Sequence, residues 1–439
     1  MVRVSRLVLI ASVCIVVFLV LPVAAIEPAW QYSDSGADIG GVAISSDGSS
    51  IAVAAGKVWF FSKDGKLLAR EPYGNLLAMT PNGSTVATSY FSTFYLFKNN
   101  TEKNDAAPMK NVWENSLINS VISLDISDDG STIAISTDGA GLLIYSADGT
   151  LLEYNKSHYS VVGASANGKY VAGLSQFGLT SFTKSRRYVN KSYDLYLGSM
   201  PDVMALSSKG DYCVFNDDQR ILRVRSNGSE IWHTRATGDV MSLAMTPDGK
   251  AIIIGTDNGH IDKFDEKGNF SWSYDTHPKN KNYASVPGVA VSDNGANIAA
   301  GTAGGEILLL NTRGDLQWVN QTNDHIHHVA ISADGTITIA TGEDTVYAFT
   351  TQSRDSAKTT VSRTNSSQKT TGTPGIVDTI PESFDSDVVV SPTPLAAAVP
   401  VITSPPTQFS VVITAEQSPP SIIAGFAALA ILVLCRKRG

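Results

Sequence analysis

One phrase returns eight times along this chain: an alternating apolar strand ending in Ser or Thr, a tight turn, and a second apolar strand. It reads "VAISSDGSSIAVAA" from Val42, "LAMTPNGSTVATS" from Leu77, "LDISDDGSTIAIS" from Leu124 and "VGASANGKYVAGL" from Val162. It continues as "MALSSKGDYCVFN" from Met204, "LAMTPDGKAIIIG" from Leu243, "VAVSDNGANIAAG" from Val289 and "VAISADGTITIAT" from Val329. The turn glycines Gly48, Gly83, Gly130, Gly168, Gly210, Gly249, Gly295 and Gly335 stand 35 to 47 residues apart. Asp-Gly and Asn-Gly steps suit hairpin turns, where a positive backbone angle favours Gly and Asn. A second strand pair follows each phrase, as in "KVWFFSKDGKLLARE" from Lys57 and "HIDKFDEKGNFSWSY" from His260. The repeated unit is therefore a four-stranded meander, with strands a to d.

An isolated meander cannot bury both of its faces. Stacked radially, each sheet covers its neighbour and leaves only short, protected edges. The spacing brackets the ~40–45 residues of a four-stranded propeller blade. The last unit, "HVAISADGTITIATGEDTVYAFT", ends at Thr350 after strands a, b and c. An unused strand d, "AWQYS" (Ala29 to Ser33), precedes the first unit. If the ends meet, that strand completes the last blade. The expectation is an all-β, eight-bladed β-propeller of four-stranded antiparallel blades over residues 26–350, closed by its N-terminal strand. The fourth unit, around "LTSFTKSRRYVNKSYDLYL", is degenerate. A seven-bladed ring with one displaced meander is the alternative count.

Five of the six Trp residues, Trp30, Trp113, Trp232, Trp272 and Trp318, fall on strand d. Three stand four residues after a turn glycine, as Gly228–Trp232, Gly268–Trp272 and Gly314–Trp318. This resembles the tryptophan-docking repeats of quinoprotein-type (PQQ-like) eight-bladed propellers and of related WD40-like repeats, over roughly Glu27 to Thr350. The resemblance implies a structural role for these Trp residues, packed between neighbouring blades. Quinoprotein dehydrogenases of that shape hold pyrroloquinoline quinone beside calcium, and in many two adjacent Cys pack on the quinone. This chain has no adjacent Cys and no recognisable Glu/Asn/Asp calcium set. The Ser-x-Asp-x-Gly-x-Thr-Trp boxes of sialidase-type propellers fail too, because Gly directly follows Asp, as in Asp129-Gly130. The expectation is a chain that is not an enzyme and has no cofactor.

In such a meander the b–c and d–a connections share one rim, and loops of that kind carry binding. Several b–c turns bear acids: Asp138, Asp217, Asp218, Asp257, Glu343 and Asp344. Converging carboxylates would suit calcium, which takes oxygen ligands; the alternative is plain Asx-type turns. His325, His327 and His328 crowd one d–a loop and are the candidate ligands for a transition metal, with Asp324 as an added acid. Strand alternation separates His328 from the other two. The longest candidate rim loop, "DTHPKNKNYASVP", offers His277, Lys279, Lys281 and Tyr283 as a partner contact. Asp125 is a local oddity on strand a, where six other units have Ala and one has Gly163. A carboxylate there must find a partner or face the central channel.

The chain ends bear on location. Arg3 and Arg6 precede an apolar run from Leu7 to Leu21, followed by "PVAA". This reads as a secretory signal peptide over residues 1–25. Residues 351–420 hold nine of the 18 Pro amid many Ser and Thr, a composition that forms no core and reads as an extended linker. A second apolar run, Ile422 to Cys435, is capped by Arg436, Lys437 and Arg438. Residues 421–439 thus read as a membrane anchor or a sorting segment, with the basic end held inside. Stalk, apolar helix and basic end together resemble the C-terminal sorting tails of archaeal surface proteins. Those tails read Pro-Gly-Phe before the helix. Here Pro419-Pro420-Ser421 is followed by Gly425-Phe426, so the layout matches and the motif departs.

The formal net charge of −8 disfavours nucleic acid as a partner. Of three Cys, Cys14 and Cys435 sit in the terminal apolar runs, so Cys213 has no internal disulfide partner. Asn-x-Ser/Thr acceptors at Asn82, Asn99, Asn155, Asn190, Asn227, Asn269, Asn320 and Asn365 suit glycosylation of an exported protein. The functional expectation is an exported, membrane-tethered propeller at the cell surface, binding or scaffolding a protein or glycan. The alternative is an extracellular funnel-site enzyme, a polysaccharide lyase or hydrolase or a quinoprotein-like activity.

Overall fold

The computed structural model describes residues 24–99, 109–139, 141–184, 188–195, 197–277 and 285–351. Within them the strands form eight sheets in one ring. Blades 1 to 7 span residues 41–72, 76–116, 121–155, 161–194, 204–235, 240–275 and 288–321. Each is an antiparallel meander in chain order. Blade 8 takes strands a to c from residues 328–350 and its strand d from Trp30–Ser33. The register of that pair is Trp30↔Ala348, Gln31↔Tyr347, Tyr32↔Val346 and Ser33↔Thr345. The fourth unit is a full blade despite its irregular sequence, so the count is eight.

Burial explains the residue pattern of each strand. Strands b and c lie between the neighbouring blades and are buried on both faces. They read as continuous apolar runs, as in Thr132–Thr137 and Ala251–Thr256, where every residue is buried. Strand d is the outer edge and alternates, as in Leu67–Pro72 and Phe270–Asp275. Strand a borders the channel and is mostly half-buried, as in Gly41–Ile44 and His328–Ile331. The core divides into eight apolar clusters, one in every gap between adjacent blades. The gap between blades 8 and 1 is filled like the rest, with Ile339 and Val346 against Ile51, Val53 and Trp59.

Two devices fix the blades to one another. The first is the strand-d aromatic. Trp30, Trp113, Trp232 and Trp272 each lie on the c–d turn glycine of the next blade: Gly65, Gly149, Gly268 and Gly314. Their indole nitrogens donate to turn carbonyls of Lys63, Ala147, Glu266 and Thr312 at 2.9–3.3 Å. A Cβ on Gly65 would stand 2.6 Å from the Trp30 ring, so only glycine admits the indole at this distance. In blade 4, Tyr193 takes the Trp place and lies on Gly228. Trp318 meets a blade whose outer strand comes from the other chain end; it stacks on Phe349 and donates to Thr351 Oγ1 at 3.1 Å.

The second device is the Ser or Thr that ends strand a. Ser45, Thr80, Ser127, Ser165, Ser207, Thr246, Ser292 and Ser332 are all buried. Each hydroxyl accepts the amide five residues on, as Ser50 N to Ser45 Oγ at 3.0 Å and Ile337 N to Ser332 Oγ at 3.0 Å. It donates to the turn Asp or Asn two residues on, as Ser45 to Asp47 at 2.7 Å. In blade 5, Lys209 occupies that place and Asp211 accepts instead, at 2.6 Å. Neighbouring turns then join through their backbones: Ser46 N to Pro81 O, Ala166 N to Ser208 O, Asp293 N to Ala333 O and Ala333 N to Ser46 O, all at 2.7–3.0 Å. The last of these closes the belt between blades 8 and 1. Pro81 and Pro247 interrupt it, because proline has no N–H to give.

The chain enters beside blade 7. Ala24–Ala25 runs parallel to that blade's strand d, paired with Trp318 and Val319. Ile26 N donates to Val319 O at 3.2 Å, and Asn320 Nδ2 donates to Ile26 O at 2.7 Å. Cys213 is buried in the core between blades 4 and 5 as a free thiol, and burial pushes its pKa up to about 12. Among the described residues no helix is long and apolar enough to cross a membrane; both terminal apolar runs lie outside those residues.

Candidate functional site

The rim that carries the b–c turns and d–a linkers differs in chemistry from the opposite rim. The described residues include fourteen exposed large apolar side chains. Seven lie on strand d; Tyr73, Phe91, Ile118, Phe177 and Met200 lie on the b–c turns and d–a linkers of this rim, and Ile122 and Met241 are the second residues of two strands a. The described residues of the a–b and c–d turns on the opposite rim include none. Tyr73 and Phe91 also have positive φ, 72° and 50°. At the b–c turn, blades 1, 3, 6 and 7 place Gly56, Gly139, Gly259 and Gly305 in that conformation, and blade 2 uses Phe91. A bulky residue there is strained and favours a local role outside the core. The ring of Tyr90 lies 5.1 Å from Tyr73 and 4.7 Å from Phe91, so the three form one exposed aromatic cluster. The sequence reading missed this cluster; the signal was an aromatic in a turn where other units have glycine.

At the axis, a cavity of 380 Å³ opens at the same rim. Leu77, Ile122, Met241, His327 and His328 help to line it, and no carboxylate does. Ile122 and Met241 are the extra residues of two bulges, between Val121 and Ser123 and between Val240 and Ser242. A bulge re-aims a side chain, and here both lie at the channel mouth.

The rim acids serve separate turns. Asp217 is buried and accepts Gly198 N and Ser199 N at 2.8 Å, Ser199 Oγ at 3.2 Å and Arg220 Nη1 at 3.1 Å. Asp257 accepts Asp239 N at 2.8 Å. Asp344 accepts the Thr345 hydroxyl at 2.8 Å, and the Glu343 carbonyl accepts Ile39 N at 3.1 Å. Asp138 is exposed, 3.9 Å from His158, and Asp218 has a φ of 53°. Among the described residues no three His, Cys, Asp or Glu side chains gather as a metal site.

His325 and His327 have ring centroids 6.3 Å apart, as do His327 and His328. Burial holds the His328 imidazole below the usual histidine range, and neighbouring His327 adds to this. A hydrogen bond to the Ile39 backbone opposes both. Asp324 accepts the Tyr347 hydroxyl at 2.7 Å. His277 is turned inward with 7 % of its side chain exposed; its Nδ1 is 2.6 Å from the Thr276 hydroxyl and its Nε2 3.8 Å from Glu306. Lys279, Lys281 and Tyr283 lie outside the described residues.

Of the two courses open to it, Asp125 takes the first and finds partners. Its carboxylate accepts Ile126 N and, from blade 4, Ala164 N, each at 2.8 Å. Ser123 accepts Val162 N at 3.1 Å beside it. Two edge amides of blade 4 are thus satisfied by blade 3 side chains. Burial pushes the Asp125 carboxyl up to about 6, against the pull of those two amides. Gly163, facing it in blade 4, leaves room for the carboxylate 3.7 Å from where a Cβ would stand.

Of the glycosylation acceptors, Asn82, Asn99, Asn190, Asn227 and Asn269 are exposed and Asn155 is half-buried. Asn320 uses its side-chain nitrogen on Ile26, and Asn365 lies outside the described residues.

The family model of the outer membrane protein assembly factor BamB, a PQQ-type repeat, matches residues 197–389. Solved WD40 structures share the fold. Chaetomium thermophilum Sqt1, bound to the N-terminus of ribosomal protein L10, is 14% identical, with a TM-score of 0.63 over 74% of this chain and 100% of its own. The C-terminal WD40 domain of Sif2 is 11% identical, with a TM-score of 0.62 over 75% and 99%. Saccharomyces cerevisiae Sqt1 is 13% identical, with a TM-score of 0.61 over 75% and 100%. No curated protein matches the chain.

Proposed function

From a closed β-propeller of WD40-like and PQQ-like repeats, we propose a non-catalytic recognition or scaffold module, exported and tethered at the cell surface. One observation carries the recognition part: among the described residues, the exposed large apolar side chains on turns and linkers all lie on one rim. Apolar side chains gathered on a single face mark interaction surfaces. Asp217 and Asp257 of that rim hold linkers in place, which supports binding over chemistry in the funnel. The likeness to a BamB assembly-factor model and to a propeller solved with a ribosomal-protein N-terminus supports protein binding in the same way. Export and tethering rest on the basic-apolar leader and on the stalk, apolar run and basic end that finish the chain.

Protease treatment of intact cells tests the location. The propeller is expected to be cut or released without lysis; a chain protected until lysis contradicts surface display. Retention on washed cell envelopes tests the rim. Phe91→Ser with Ile118→Ser is expected to lower retention, and unchanged retention contradicts the rim assignment.

A further inference from the structure

We infer that a notch on blade 4 of this rim is a pocket for a neutral, polyhydroxylated ligand, a short glycan. This rests on the reading of the rim as a recognition surface and gives it a place and a ligand class. A cavity of 400 Å³ opens between the b–c turn of blade 4 and the d–a linkers on either side of it. That volume lies within the span typical of small-ligand pockets.

The pocket is built in advance. One wall is the linker before blade 4, with Ser157 and His158; the far wall is Met200, on the linker after it. The Asp217 carboxylate, 4 % exposed, clamps Gly198 and Ser199 next to Met200. On the other side Ser160 Oγ donates to Pro201 O at 2.6 Å. Both ends of the Met200 segment are therefore fixed with no ligand present, and a wall already ordered costs little on binding.

The lining selects the ligand. Ser157, Thr180 and Ser192 present hydroxyls and Gln176 an amide. Thr180 and Ser192 lie 3.0 Å apart and share one proton, which leaves the pair a donor and several lone pairs. Phe177, 69 % exposed, stands at the mouth. An aromatic face draws the positively polarised C–H face of a sugar ring, and neutral hydroxyls and amides match its O–H groups. No Lys or Arg lines the pocket, and the Asp194 carboxylate lines it along with His158, so the lining offers an anionic ligand no fixed positive charge.

Saturation-transfer NMR on the full-length protein tests this, with the methyl glycosides of glucose, galactose, mannose and N-acetylglucosamine as probes. Transfer to at least one glycoside is expected, about tenfold weaker binding in Phe177→Ala, a similar loss in Gln176→Ala, and no change in Phe91→Ala on blade 2. Absence of transfer to all four, or equal binding in wild type and Phe177→Ala, overturns the pocket. A protein displayed on intact cells that binds no glycoside removes the pocket alone. A protein confined inside cells removes surface recognition, whatever the glycosides do.

Discussion

Trp30 donates its indole N–H to the carbonyl of Lys63 at 2.9 Å, and its ring lies on Gly65. The same residue pairs with Ala348 across the two ends of the chain. One side chain therefore both completes blade 8 and docks it on blade 1. Trp30→Ala is expected to cost about 2–3 kcal/mol from the lost packing of the indole. Gly65→Ala puts a methyl against the indole at a φ of 79° and is expected to cost at least about 1–2 kcal/mol. Denaturant unfolding of both variants checks this. Wild-type stability in either contradicts the docking.

Ser332 is expected to matter more than its size suggests. Its buried hydroxyl accepts Ile337 N and donates to Asp334 at 2.6 Å. Ser332→Ala strands that amide and is expected to cost about 1–3 kcal/mol. Thr336→Ala, at a half-buried neighbour on the same Asp, serves as the comparison and is expected to cost far less. Equal effects contradict the clamp.

The architecture was legible because each unit repeats its alternation and its Asp-Gly turn, and because the spare strand d at Trp30 matches the gap after Thr350. The Trp positions were legible for the same reason. Their seats were not: Gly268 was visible as a residue four before Trp272, yet it receives Trp232 from the preceding blade. Such inter-blade contacts join residues tens of positions apart and leave no local period. The candidate site was less legible. Acids on turns looked like ligands, and the partners that Asp217 and Asp257 take, backbone amides of the adjoining linkers, carry no sequence signature. The Phe91 cluster and the blade 4 notch depend on backbone conformation and on the spacing of linkers.

His328 is expected to give the protein a stability loss in mild acid. Its folded-state pKa is below the unfolded value. As pH falls through that of free histidine, about 6.5, the unfolded chain takes up the proton first. Stability declines from there until the folded imidazole is itself protonated. His328→Asn is expected to remove this part of the pH slope. Denaturant midpoints at several pH values between neutrality and mild acid, compared with wild type, check it; parallel slopes contradict it.

Asp125 runs the other way. With its folded carboxyl at about 6, above the unfolded value, its contribution is fully present in acid and is lost as pH rises through about 6. A carboxyl-carbon NMR titration of Asp-labelled protein is expected to show one group with a midpoint near 6, absent in Asp125→Asn. A full set of ordinary midpoints contradicts the burial of this carboxylate.

Ring closure is tested most directly at the Ser33–Thr345 pair. The two residues are cross-strand partners, with hydroxyl oxygens 2.9 Å apart across 312 positions of chain. Facing strand positions at this distance suit disulfide geometry. In Ser33→Cys/Thr345→Cys, mild oxidation is expected to yield a cross-linked peptide joining these two positions by mass spectrometry, with a raised thermal midpoint. Two free thiols at 33 and 345 under the same conditions would contradict a propeller sealed by its own first strand.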